Sequence, residues 1–193
     1  MLKYLSILLL STLAAGQGIP NLHRVDSRIY RSGLLDSNNI STVKSYGIKS
    51  IISLKTNADE VMFERLWALE NGVQFINIPI QIMDYSEYTK NKFFDVYHMM
   101  RTMPPPVLVH CTYGSDRTGV AIGLWRIFEN TWPLRSTLHE MDYYGFNPLF
   151  SVWKYFLSEV YYGSSYDTDD HCNCGANCYR FGKRTDTCYY PSY

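Results

Sequence analysis

The sequence predicts a three-layer α/β domain, with a central, mostly parallel sheet of four to five strands and helices on both faces. Three observations lead there. Short apolar runs of strand length alternate with longer segments of helical periodicity, the pattern of parallel strands joined by helical crossovers. Glycine or proline punctuates most junctions. Finally, 46% of the 193 residues are hydrophobic, enough to fill the core of one domain of that length.

The elements follow in order. Ile29-Tyr30-Arg31-Ser32-Gly33 reads as a short strand entering a turn. Asp36 or Ser37 can cap a helix running to about Tyr46, with Gly47 as its stop. Ile48 to Leu54 (IKSIISL) is a buried strand. Ala58 or Asp59 to Asn71 is helical, with Val61, Phe63, Leu66, Trp67 and Leu69 apolar, and Gly72 ends it. Val73 to Ile80 alternates as a strand does. Glu87 to Met103 carries Phe93, Phe94, Val96, Tyr97 and Met100 at helical spacing. Pro104-Pro105-Pro106 stops that helix and forces an extended entry into the strand at Val107-Leu108-Val109. Helices follow from Thr118 to about Glu129, from Trp132-Pro133 through Tyr144, and from Pro148 to about Tyr162.

The domain therefore spans about 20–162, between an N-terminal segment (1–16) and a tail (163–193). In MLKYLSILLLSTLAAG, Lys3, the apolar run Leu5 to Leu13 and the small residues Ala14-Ala15-Gly16 follow the order of a signal peptide, which predicts export to a periplasm or the outside. No later segment is long and apolar enough to span a membrane. Lys+Arg and Asp+Glu number 18 each, a balance that does not call for nucleic acid or an anionic membrane as partner. Four of the five cysteines, Cys172, Cys174, Cys178 and Cys188, crowd the tail. In an exported chain they read as two disulfides, with the pairing open; zinc held with His171 is the competing reading. Cys111 is the odd one left over.

Cys111 lies in VLVHCTYGSDRTG, between a strand and a helix. Ligand sites of parallel sheets lie beyond the carboxyl ends of the strands. A strand-loop-helix junction there turns amide N–H groups inward and adds the positive end of a helix. Such a site favours the thiolate of a cysteine over its thiol. Gly114 permits a tight turn. Arg117, six positions on, can offer a bidentate fork to a tetrahedral oxyanion. Thr118 can hydrogen-bond the sulfur and ease its departure from a phosphocysteine. Thr112, Tyr113, Gly114, Ser115, Asp116 and Arg117 would line the phosphate hole, with His110 orienting the loop. Tyr113 can pack against an aromatic leaving group or fill space.

His110 to Gly119 resembles the HCxxGxxRTG loop of the protein tyrosine phosphatase superfamily. The compact size and Tyr30-Arg31-Ser32-Gly33 resemble its atypical dual-specificity branch, bacterial members and phosphatase-like phytases included. The resemblance covers about Ile29 to Tyr162. It implies the cysteine-dependent phosphatase fold, a phosphocysteine intermediate, and no metal or other cofactor. It also implies an Asp on a loop before the nucleophile as proton donor, which Asp84 fits, with Glu87 a lesser candidate. Asp116 is a rival, resembling the acid of the CxxxxDR pattern in some lipid phosphatases; it can otherwise orient Arg117 or cap the helix.

Arg31 and Lys55 fall near strand ends and could contact phosphate, or form surface salt bridges. The substrate would be a phosphoprotein, a phosphopeptide or an inositol phosphate. Nothing in the sequence speaks to oligomeric state. A phosphate-binding module without turnover, and sulfur transfer of the rhodanese type, are the competing functions.

Overall fold

The computed structural model describes residues 18–165. The expected leader and the four tail cysteines, with their disulfides or zinc, lie outside the described residues.

Five strands form one sheet: β1 (His23–Arg24), β2 (Ile29–Ser32), β3 (Ser50–Ser53), β4 (Gln74–Asn77) and β5 (Val107–His110). Their order is β1-β2-β5-β3-β4, with β1 antiparallel to β2 and every other pair parallel. The expected three-layer, mostly parallel sheet is borne out. β1 was not anticipated; two residues are too short to show any periodicity.

Strand β5 lies at the centre, and its four residues are all buried. Alternation decides what each side chain meets. Val107 and Val109 enter the larger core with Phe93, Val96, Leu124 and Trp153. Leu108 faces the other way, toward Val43, Ala68 and Val73. Helices α1 (Thr42–Ser45) and α2 (Ala58–Glu70) thus cover one face. Helices α3 (Glu87–Thr102), α4 (Asp116–Phe128), α5 (Leu134–Tyr143) and α6 (Val152–Ser165) cover the other. Truncating a fully buried side chain such as Leu108 to alanine would cost about 2–5 kcal/mol.

Two helices differ from expectation in their bounds, each for a local reason, and a third buries a different face. The helix expected from Asp36 shrinks to the single turn of α1. Asp36 Oδ1 accepts from Asn38 and Asn39 N–H, while Asn39 bonds back to the Asp36 N–H and the Leu34 carbonyl. These side chains offer the backbone an alternative to the helix. The last helix splits: Asn147 caps a 3-10 turn at Pro148–Phe150 before α6 begins. In α2 the buried stripe is Val61, Glu64 and Ala68, whereas Phe63, Leu66 and Leu69 are exposed.

Candidate active site

Because β2, β5 and β3 run parallel and adjacent, their carboxyl ends share one edge. Arg31 comes to that edge from β2, Cys111 directly follows β5, and Lys55 follows β3. The loop Cys111 to Ser115 then leads into α4.

The loop's shape comes from what binds it from outside. The Thr112 carbonyl accepts from Leu34 N–H at 3.0 Å. The Tyr113 carbonyl accepts from Asn21 Nδ2 at 3.0 Å. The Gly114 carbonyl accepts from Arg31 Nη2 at 2.7 Å. In a trans peptide the N–H points opposite to the carbonyl before it. Three carbonyls held outward therefore turn the amides of Tyr113, Gly114 and Ser115 inward. Gly114 N lies 3.3 Å from Cys111 Sγ, as that orientation requires. The turn needs glycine at 114. Its φ is +73°, and a Cβ would sit 2.6 Å from the carbonyl of Ser32 and the amide of Gly33.

Arg117 closes the hollow. Its Nη1 donates to the Leu54 carbonyl at 3.1 Å and its Nη2 to Thr112 Oγ1 at 3.0 Å. The guanidinium is thus braced across β3 and the loop, a fork ready for an oxyanion. Cys111 is 1% exposed. Thr118 is buried, and its Oγ1 has no hydrogen-bond partner among the described residues. The bond expected from Thr118 to the sulfur is therefore absent in this state, where the sulfur meets the Gly114 amide instead. Tyr113 projects outward and is 71% exposed.

Behind the loop lies a buried charge cluster. His110 Nε2 is 3.3 Å from Glu64 Oε2, and both side chains are inaccessible. Lys55 Nζ lies 3.2 Å from Glu64 Oε1 and 2.5 Å from Glu60 Oε2. Burial works to raise the Glu64 carboxyl, but the His110 ring, with Lys55 and Ser53, holds it below the ordinary carboxylate value. Lys55 is thus no surface cation: two carboxylates hold it, and a phosphate contact would require it to leave them. His110 has the orienting position expected of it. The sequence reading missed Glu64; its signal was an acid on the apolar stripe of α2. Asn21, which holds the Tyr113 carbonyl, carried no signal, since only long-range folding brings it there.

The two acids have different surroundings. Asp84 is exposed at the entry to α3. Its Oδ2 accepts from Thr89 Oγ1 at 2.6 Å and its Oδ1 from Ser86 N–H at 3.1 Å. The Thr89 and Ser86 hydrogen bonds hold its carboxyl below the ordinary value. Those partners are all in its own segment. Asp116 Oδ1 accepts from Asn147 N–H at 2.8 Å, and its Oδ2 lies 3.3 Å from Ser115 Oγ. That ties the loop to the segment following α5. Glu87 pairs with Lys90 at 2.8 Å on the surface. No cluster of three or more metal-ligating side chains occurs among the described residues. No helix among them is long and apolar enough to cross a membrane.

Comparison with known proteins agrees with this geometry. The profile of the tyrosine phosphatase family matches residues 19–169. Over 131 residues the chain is 25% identical to the dual specificity protein phosphatase TpbA of Pseudomonas aeruginosa, covering 65% of this chain and 55% of that protein. Over 132 residues it is 30% identical to the inositol diphosphatase DSP4 of Arabidopsis thaliana, covering 62% and 61%. The chain thus spans little more than half the length of these relatives. The crystal structure of P. aeruginosa TpbA superposes with a TM-score of 0.61 at 21% identity, covering 76% of this chain and 91% of that one. The catalytic core of the PP-IP phosphatase SIW14 from S. cerevisiae superposes at 0.60 and 23% identity, covering 74% and 87%. At such identities these superpositions establish the shared fold.

Proposed function

The chain belongs to the tyrosine phosphatase family, and from that premise we propose that it hydrolyses phosphate monoesters through a phosphocysteine at Cys111. The observation that carries this reading is the inward turn of the loop amides onto Sγ, with Arg117 braced across the opening.

The Cys111 thiolate attacks phosphorus and forms the S–P bond, while the bond from phosphorus to the leaving oxygen breaks. A carboxylic acid protonates that oxygen. The amides of Tyr113, Gly114 and Ser115, with the Arg117 fork, take the charge of the three equatorial oxygens. Water then attacks phosphorus, the same carboxylate accepts its proton, and the S–P bond breaks. The hydroxyl of Thr118 donates to the departing sulfur. Asp84 is the better proton donor of the two acids, being exposed and unattached to the loop. A bound phosphate dianion beside it would oppose the hydrogen bonds that keep it ionised. Asp116, held by Asn147, serves as a brace.

The substrate is of the phosphotyrosine or dual-specificity type, with one phosphate. Support comes from the charges at the strand edge. Lys55 is held by Glu60 and Glu64, Arg31 is buried, and Asp116 adds a negative charge. A second reading, an inositol polyphosphate substrate, draws support from the resemblance to a protein named an inositol diphosphatase. The leader and the tail cysteines support an exported protein with disulfides, which N-terminal sequencing of secreted material after Gly16 tests.

The deciding experiment is hydrolysis of p-nitrophenyl phosphate against pH, without added metal, by the wild type and Cys111→Ser. Turnover by the wild type alone is expected, with 32P trapped on Cys111 after rapid acid quench. A fully reduced wild type that binds phosphate without turnover would favour a binding module, and thiosulfate turnover would favour sulfur transfer. Competition by inositol hexakisphosphate against a phosphotyrosine peptide separates the two substrate readings.

A further inference from the structure

Glu64 is a fully buried acid that the reaction described above does not use. It interrupts the otherwise apolar buried stripe of α2, between Val61 and Ala68. Its Oε1 lies 3.2 Å from Lys55 Nζ and its Oε2 lies 3.3 Å from His110 Nε2. Neutralising Lys55 does not require it, since Glu60 Oε2 already meets that ammonium at 2.5 Å from a partly exposed position. A second carboxylate taken fully out of water is costly unless its other contacts offset the loss. The contact left over is the one to His110. Neither Glu64 Oε2 nor His110 Nε2 has an aligned hydrogen-bond partner among the described residues, so each depends on the other across that short gap.

Both partners of Glu64 are joined directly to the site. His110 precedes Cys111, and Lys55 follows Leu54. The Leu54 N–H donates to the His110 carbonyl at 2.9 Å, and the Leu54 carbonyl accepts from Arg117 Nη1 at 3.1 Å. The nucleophile therefore hangs from the end of β5, and the guanidinium leans on the end of β3. Alternation explains how one side chain reaches both. His110 pairs with Ser53 in the β3–β5 register, and Lys55 lies two residues past Ser53, so His110 and Lys55 face α2. Leu54 and Cys111 belong to the core on the opposite face.

We propose that Glu64 is a positioning residue that fixes the placement of Arg117 relative to Cys111. One carboxylate oxygen holds the residue before the nucleophile. The other holds the residue after the carbonyl that braces Arg117. Together they stop the two strand ends from slipping past one another where the oxyanion is bound. Glu64 touches no reacting atom and acts through His110, Lys55 and the Leu54 peptide. The transfer needs sulfur and guanidinium aligned on one phosphorus, and small misplacements of such groups are costly in rate.

The inference rests on the reading of Cys111 and Arg117 as one anion site, but its test needs no turnover. Iodoacetate and iodoacetamide alkylate the same sulfur, and only iodoacetate carries a carboxylate for the Arg117 fork to hold. The ratio of their rates at Cys111 therefore reads where Arg117 lies, while the reactivity of the sulfur cancels. The rates are followed on the reduced full chain by mass spectrometry of the Cys111 peptide, apart from the tail cysteines. Arg117→Ala should lower the ratio about 10-fold, the scale for a hydrogen bond to a charged group. Glu64→Gln should lower it by a similar factor. The double variant should fall no further than Arg117→Ala alone, because both changes act through one guanidinium. A purely structural role for Glu64 would change both reagents alike and leave the ratio fixed. If Glu64→Gln does not fold by circular dichroism, Glu64→Asp, too short to span both partners, takes its place. A wild-type ratio in a folded Glu64 variant overturns the proposal, as does a further fall in the double variant. The expected pattern in a wild type that does not turn over p-nitrophenyl phosphate would sink the catalytic reading and leave this one standing.

Discussion

Lys55 and Glu64 bury opposite charges against one another directly behind the nucleophile loop, Nζ to Oε1 at 3.2 Å, with side chains 1% and 0% exposed. The pair joins the end of β3 to α2, and Glu64 reaches on to His110, the residue before Cys111. Removing Glu64 leaves the buried Lys55 with the partly exposed Glu60 and takes the carboxylate from beside His110. Glu64→Ala should therefore cost up to about 3 kcal/mol in urea unfolding, the low end for breaking a buried pair, because Glu60 still compensates Lys55. The double variant Lys55→Met/Glu64→Leu should recover most of that, because an apolar pair can replace a buried ion pair. A double variant less stable than Glu64→Ala would show that His110 depends on Glu64 for more than charge balance.

Gly114→Ala should fold but lose catalysis. The positive φ costs about 1–3 kcal/mol for a non-glycine residue. The added Cβ meets backbone at 2.6 Å, which does not yield as a side-chain tip would. The loop must shift, and with it the amide at Sγ. A displacement of that order can reduce the rate about 100-fold. Measurement of kcat/KM on p-nitrophenyl phosphate, beside a thermal melt, checks both halves.

The roles of the two acids separate by substitution. Asp84→Asn should lower kcat and flatten the fall of rate on the alkaline side, where the donor loses its proton. Asp116→Asn keeps an acceptor for the Asn147 amide and should change kcat much less. Thr89→Ala removes a hydrogen bond that depresses the Asp84 carboxyl. Its pKa then rises, so the alkaline limb should move to higher pH. A limb that responds to Asp116→Asn and ignores both other variants would reverse the assignment.

Asp26 gives a pH signature of stability away from the site. Its carboxylate accepts from the N–H groups of Arg28 and Ile29, from Trp125 Nε1 and from Asn130 Nδ2. Burial opposes the ionised form, but these four donors outweigh it and lower the pKa. A depressed folded-state pKa means the stabilisation is present above the unfolded value of about 3.9 and is lost as pH falls through the folded one. Asp26→Asn should lower Tm by a few degrees at pH 7, and the gap from wild type should close as pH drops below about 4. A gap constant with pH would show that the carboxylate charge contributes nothing there.

Much of the fold was legible because its signals are local. Val107 to Val109 between prolines and a polar loop could only be a buried strand, and Glu87 to Met103 shows its core face in helical spacing. Where local signals competed, expectation failed. Asp36 and Asn39 formed side-chain bonds to the backbone instead of a longer helix, and the two residues of β1 gave no pattern at all. In the loop, the spacing of Cys111, Gly114 and Arg117 was visible. The partners of Lys55 and Arg31 were not, since a position near a strand end suits a phosphate contact and a buried contact equally.

The sequence by itself determined the alternation of strand and helix, and the residue types between Cys111 and Arg117. Both follow from short-range rules of periodicity and turn chemistry. Only the tertiary structure decided which charges are occupied. Arg31 meets Gly114 from 83 residues away, and Asn21 meets Tyr113 from 92. A charge buried by chain folding must find its counter-charge among whatever the other elements bring. Sheet order and helix packing, not the neighbouring letters, set whether a cation near the loop faces a carboxylate, as Lys55 does, or a backbone carbonyl, as Arg31 does.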